Sequence, residues 1–161
     1  MNKLLNRLLF GLQLGFTFVV LVGIYMLFAL LDYTGGFDSF IGFIVFQPVI
    51  AAVLSVLTII LCFIIGLPIR FNRTVNQWWT KNFIVAFMLA IVGFTFLILS
   101  VLPLFTEVVP VTIDKDSLNE TIPNGWFAIT GWFVTAFALL HTFPPYILKQ
   151  KTITLLNTIK L

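Results

Sequence analysis

Residues 8–31, 40–67, 83–105 and 125–147 contain no Asp, Glu, Lys or Arg. A helix of about 20 apolar residues crosses the roughly 30 Å of hydrocarbon in a bilayer. Each run is long enough to do so, and together they leave little chain for anything else. Only 9% of the 161 residues are charged and 60% are hydrophobic, against about 25% charged in a soluble domain. Such a chain cannot clothe a water-facing globule. The expected fold is an all-α membrane protein, a single integral domain built as an antiparallel four-helix transmembrane bundle. The second run is long enough to tilt, and Pro48 should kink it, because its ring displaces the Ile44 carbonyl and its nitrogen donates nothing.

The charges sort by side. Lys3 and Arg7 precede the first run, Arg70, Arg73 and Lys81 separate the second from the third, and Lys149, Lys151 and Lys160 follow the fourth. All six acids, Asp32, Asp38, Glu107, Asp114, Asp116 and Glu120, fall in the alternate loops with only Lys115 among them. The positive-inside rule then places both termini and the 66–83 loop in the cytoplasm. Compact, bare loops suggest a bacterial inner membrane. The opening MNKLLNRLLFGLQLGFTFVVLVG starts like a signal peptide. Its apolar run is too long for a signal h-region and no A-x-A-like site follows, so it reads as an uncleaved span. The net charge of +3 does not imply nucleic acid, because basic residues spread over several loops form no binding patch.

The segment GLPIRFNRTVNQWWTKNF, residues 66–83, is the longest polar interruption in the first hundred residues. Arg70, Arg73 and Lys81 sit where lipid phosphates lie, and Trp78 and Trp79 where indoles favour the headgroup layer. An ordinary interfacial turn accounts for them, and a docking surface for a partner or an anionic lipid is the sharper alternative. On the other side, Gly35-Gly36 allows a tight turn, with Asp38 or Ser39 placed to cap the second helix. In TEVVPVTIDKDSLNETIPNG, residues 108–113 and 118–122 can pair as a hairpin about 114–117, although Pro110 weakens the pattern. Its acids lack the glycine and spacing of an EF-hand and read as a solvated loop. Asn119-Glu120-Thr121 matches a glycosylation sequon, a short and weakly specific signal. After Pro144-Pro145, the residues Leu148, Thr152, Leu155, Leu156 and Ile159 could make one helical face on the inner leaflet, with an extended form nearly as good a fit.

Small residues recur on one face of each run: Gly11, Gly15 and Gly23; Gln47, Ala51, Ser55, Thr58, Cys62 and Gly66; Ala86, Ala90, Gly93 and Ser100; Ala128, Gly131, Thr135, Ala138 and Thr142. Steps of three and four keep such residues together, and helices in lipid associate through small residues that let backbones approach. All four stripes are therefore expected to face inward. Gln47, Ser55 and Thr58, facing Gln13, Thr17 or Thr135, also admit a sharper reading as a polar path for a small solute. The absence of any charged residue at membrane depth speaks for packing instead.

The chemistry is sparse. Cys62 is the only cysteine, so no disulfide or CxxC motif exists within the chain, and its aliphatic setting suggests an inert thiol. His141 is the only histidine and cannot supply both axial ligands of a b-type haem. It is expected near the interface, bonding a carbonyl released by Pro144 or Pro145. No nucleophile motif, phosphate loop or dinucleotide fingerprint occurs, and the acids lie across the membrane from the histidine, so no triad assembles. The expectation is a protein with no cofactor and no catalysis of its own. Its partners would be membrane lipids and other membrane protein subunits or copies of itself. A homo-oligomeric channel or facilitator lined by the Gln47 stripe is the rival.

Overall fold

A backbone surrounded by lipid must satisfy its own N–H and C=O groups, and helices do this within one segment. The structure, a computed structural model, describes residues 2–31, 33, 35–113 and 116–142, without the side chains of 2–6, 37, 38 and 110–120. The expected helical face at 148–159, the turn residues Asp114 and Lys115 and the end of the fourth run at 143–147 lie outside the described residues. So do the side chains of Asp114, Asp116 and Glu120 behind the calcium reading and of Asn119 behind the sequon reading.

The apolar runs form α1 (Asn2–Leu31), α2 (Phe37–Ile65) and α5 (Phe83–Val101), each containing a segment long and apolar enough to cross a membrane. This is a helical transmembrane protein. The fourth run gives the shorter α6 (Gly125–His141). Between α2 and α5 the chain forms two short helices, α3 (Leu67–Phe71) and α4 (Arg73–Lys81). The interruption is thus more than a turn. Pro68 fits the start of α3, where a missing N–H is harmless. Asn72 then caps α4 by accepting from the N–H groups of Thr74 at 3.0 Å and Val75 at 3.3 Å. α2 runs unbroken through Pro48.

Between α5 and α6, strands β1 (Glu107–Ile113) and β2 (Asp116–Ile122) pair antiparallel from Glu107↔Ile122 to Ile113↔Asp116. Pro110, opposite Asn119, is tolerated because each strand of a two-stranded ribbon is an edge. The Asn124 N–H donates to the Ser100 carbonyl at 2.8 Å, and the Asn124 side chain accepts from Phe127 N at 3.0 Å. One residue thereby closes α5 and opens α6. At the α1–α2 turn, α2 starts after Gly36, and the Ser39 hydroxyl donates to the Gly36 carbonyl at 2.7 Å. Ser39 therefore does not cap the helix, because its proton points at a carbonyl and its oxygen takes no helix N–H.

Helix α6 sits in the middle, packed on α5, α2 and α1. Leu21, Cys62, Ala136 and Leu140 form the core where α1, α2 and α6 meet. The stripes on α2, α5 and α6 point inward: Ala51, Ser55, Thr58, Cys62, Gly66, Ala86, Ala90, Gly93, Ser100, Gly131, Thr135 and Ala138 are buried. Helix α1 is the exception. Gly11, Gly15 and Gly23 are exposed, with nothing within 4 Å of where a Cβ would stand, and α1 buries Thr17, Leu21 and Ile24 instead. Leu21 packs against Cys62, Ala136 and Leu140, where a glycine would leave space unfilled.

Candidate functional site

The last four carbonyls of a helix lack an N–H one turn on. At the end of α6 the sequence sharpens that deficit, since Pro144 and Pro145 could never donate to the carbonyls four residues back, those of Leu140 and His141. Three side chains from three other elements supply the donors. Arg70 of α3 gives Nη2–H to Leu140 O at 3.1 Å, and Trp79 of α4 gives Nε1–H to His141 O at 2.7 Å. Gln13 of α1 gives its amide to Leu139 O at 3.1 Å and Thr142 O at 2.7 Å. Within α6, Thr142 donates to Ala138 O at 2.6 Å, and His141 Nδ1 lies 2.8 Å from Phe137 O. Every carbonyl from Phe137 to Thr142 therefore meets a donor.

The guanidinium of Arg70 also lies over two rings, with Cζ 4.7 Å from the Phe10 centroid and 5.1 Å from that of Phe63. Burial lowers its pKa through desolvation, and attraction to the ring faces offsets part of that penalty. His141 is 0% exposed and stacks on Phe137 with centroids 4.4 Å apart. Its Nε2 is turned to Gly66, and a Cβ on Gly66 would overlap the imidazole. Among the described residues that Nε2 has no hydrogen-bond partner. The hydrogen-bond partner expected for His141 is not the one it has: its Nδ1 faces Phe137 O rather than a carbonyl freed by Pro144 or Pro145. Packing on Gly66 takes it inside, and the carbonyls freed by the prolines go to Arg70 and Trp79.

The five residues expected at lipid headgroups divide. Arg70 and Trp79 turn inward to hold α6, whereas Arg73, Trp78 and Lys81 are exposed. The periodicity of α4 makes the division: Val75, Asn76, Trp79 and Thr80 share its inner face, and Asn76 donates to Ile69 O at 3.0 Å.

The four residues of the polar stripe differ in their partners. Gln47 accepts from Tyr25 OH at 2.9 Å. Thr58 donates to Leu54 O at 2.8 Å and accepts from Trp132 Nε1 at 2.9 Å. Ser55 and Thr135 are fully buried, with hydroxyls that lack a partner among the described residues, and Thr135 lies against Gly93 in the α5–α6 seam. Gln13 and Thr17, expected across from the stripe, are taken up by α6 and by the Gln13 carbonyl respectively. Among the described residues no three of His, Cys, Asp and Glu gather where they could hold a metal ion. Beside the stripe, Ile24, Phe28, Leu54, Leu97, Ile129 and Trp132 line an apolar cleft of about 420 Å³.

The role of Gln13 had no local signal, because its partners are 126 and 129 residues away. Pro144-Pro145 was the available clue that α6 needs outside donors. Compared with known proteins, the chain matches no family model, no curated protein and no solved structure.

Proposed function

We propose that this chain is a small non-catalytic four-span subunit of a membrane assembly, with both termini in the cytoplasm, that binds its neighbour through α1. One observation carries the reading: the GxxxG face of α1 points away from the chain's own helices. Gly11 and Gly15 are exposed, flanked by Leu8, Leu12, Phe16 and Val19, and no atom occupies the space beside either glycine. Glycine is an unfavourable helix residue, by about 1 kcal/mol relative to alanine, and lipid chains gain nothing from a glycine groove. A second helix does, because its backbone can approach closely there.

The test is association in mild detergent. The wild-type chain should copurify with a second helix-bearing partner, either another subunit or another copy. Gly11→Leu/Gly15→Leu should lose that partner while unfolding like wild type, since both side chains point outward. A wild-type chain that stays monomeric and alone sinks the proposal. The rival, passage of a small solute along Gln47, Ser55, Thr58 and Thr135, has the unpartnered hydroxyls of Ser55 and Thr135 in its favour. It is the weaker reading, because Gln47 and Thr58 are engaged by Tyr25 and Trp132.

A further inference from the structure

Helix α4 joins segments that bear on the ends of two spans: α2 stops at Ile65 and α5 begins at Phe83. It therefore lies at the level of the headgroups, where a membrane changes from hydrocarbon to phosphate. Its inner face is fixed by the Trp79 bond to His141 O and the Asn76 bond to Ile69 O, so its outer face is presented in one orientation. On that face Arg73, Gln77 and Lys81 follow one another at steps of four. The two cations stand about 12 Å apart along the axis. Trp78, 53% exposed, follows Gln77 on α4, and Phe71, 83% exposed, ends α3 two residues before Arg73.

Among the described residues, no carboxylate side chain lies near the two cations in the chain. No Asp or Glu occurs between Asp38 and Glu107. Glu107 opens β1, beyond the far end of α5 from α4. The described part of the chain supplies no countercharge to this face. The charge pattern and depth of this face select an anion that lies in the plane of the membrane, beside a hydrocarbon layer able to receive an indole and a phenyl ring.

We propose that the outer face of α4, with Arg73, Gln77, Lys81 and Trp78, together with Phe71 at the end of α3, is a binding surface for the phosphate headgroups of anionic phospholipids in the adjoining leaflet. The cations hold two phosphates, the Gln77 amide donates between them, and the two rings sit in the upper acyl layer. This surface is separate from the glycine face of α1 and does not depend on it.

The experiment uses the full chain in a neutral detergent, with thermal unfolding followed after addition of phosphatidylglycerol, phosphatidylcholine or inorganic phosphate. Phosphatidylglycerol should raise the midpoint by about 2–4 °C for each cation engaged. Phosphatidylcholine and free phosphate should not, and about 0.5 M salt should remove the shift. Arg73→Gln/Lys81→Gln should lose the shift, while Arg7→Gln, on α1, should keep most of it. Gln77→Glu puts a competing acid between the cations without removing either, so it should also lose the shift and guards against a double variant that folds poorly. Equal shifts with phosphatidylglycerol and phosphatidylcholine, or a full shift in the Gln77→Glu chain, would overturn the proposal. A protein that copurifies through Arg73 and Lys81 with no lipid-dependent shift would also overturn it, in favour of an acidic protein partner.

Discussion

A methyl group placed on Gly66 would land on the imidazole of His141. The reason is closeness rather than backbone shape, since Gly66 has φ −82° and ψ 0°, which any residue adopts. The imidazole has little room to retreat, being stacked on Phe137 and placed 2.8 Å from its carbonyl. Gly66→Ala should therefore lower the unfolding free energy by about 1–3 kcal/mol, the range for an overpacked core. In a His141→Ala background the same change should cost less, because the methyl then enters vacated space. Denaturant titration in detergent of all four chains gives the coupling; equal costs in both backgrounds would refute the contact. The sequence pattern had placed Gly66 correctly on an inward stripe of α2, since steps of three and four define a helical face. Spacing says nothing about which side chain from another helix will fill the groove. His141 was consequently expected at the interface, with the freed carbonyls as its partners.

Among the elements, α5 and α6 make the tightest seam through a glycine from each. A Cβ on Gly93 would come within 2.6 Å of Thr135 N, and one on Gly131 within 2.7 Å of Gly93 O and Leu97 N. These neighbours are backbone atoms, which cannot rotate aside, so even alanine must push the helices apart. Gly93→Ala and Gly131→Ala should each destabilise the protein by at least 1–3 kcal/mol, about the range for overpacking. Gly42→Ala in α2, with nothing within 4 Å of its Cβ position, should be neutral or stabilising by up to about 1 kcal/mol. Comparable losses at all three positions would mean that helix propensity or lipid contact, not close approach, governs them. The same small-residue logic identified the inward faces of α2, α5 and α6 but reversed α1. A GxxxG pattern marks a face suited to close approach and leaves open whether the approaching helix belongs to the same chain. Helices α3 and α4 leave little trace in the sequence for another reason: 5 and 9 residues are too few for a reliable period, and isolated helices of that length are marginal. The signals present were Pro68 at a helix start and Asn72 as a cap.

For the molecule as a whole, the charges are separated along the helices. Gln13 and Arg70 both reach the end of α6, which puts the start of α1 and the α3–α4 segment at one end of the array. Arg7, Arg70, Arg73 and Lys81 thus share that end, while Glu107 and the hairpin lie beyond the other end of α5. In a membrane carrying a negative-inside potential and anionic inner lipids, the positive-inside rule favours the proposal that the basic end faces the cytoplasm. Whether α6 crosses as well is a matter of length. Its 17 residues rise about 25 Å, slightly short of the roughly 30 Å of hydrocarbon. The apolar run continues in sequence to residue 147, enough to complete a crossing. Single cysteines in a Cys62→Ala background separate the two questions. Thr121→Cys in the hairpin should react with a membrane-impermeant maleimide in intact cells, and Gln77→Cys on α4 only after permeabilisation; the reverse pattern overturns the orientation. A cysteine appended after Leu161 should behave like Gln77→Cys if α6 spans the membrane. If it instead reacts from outside like Thr121→Cys, α6 enters the membrane without crossing it, and the chain has three spans.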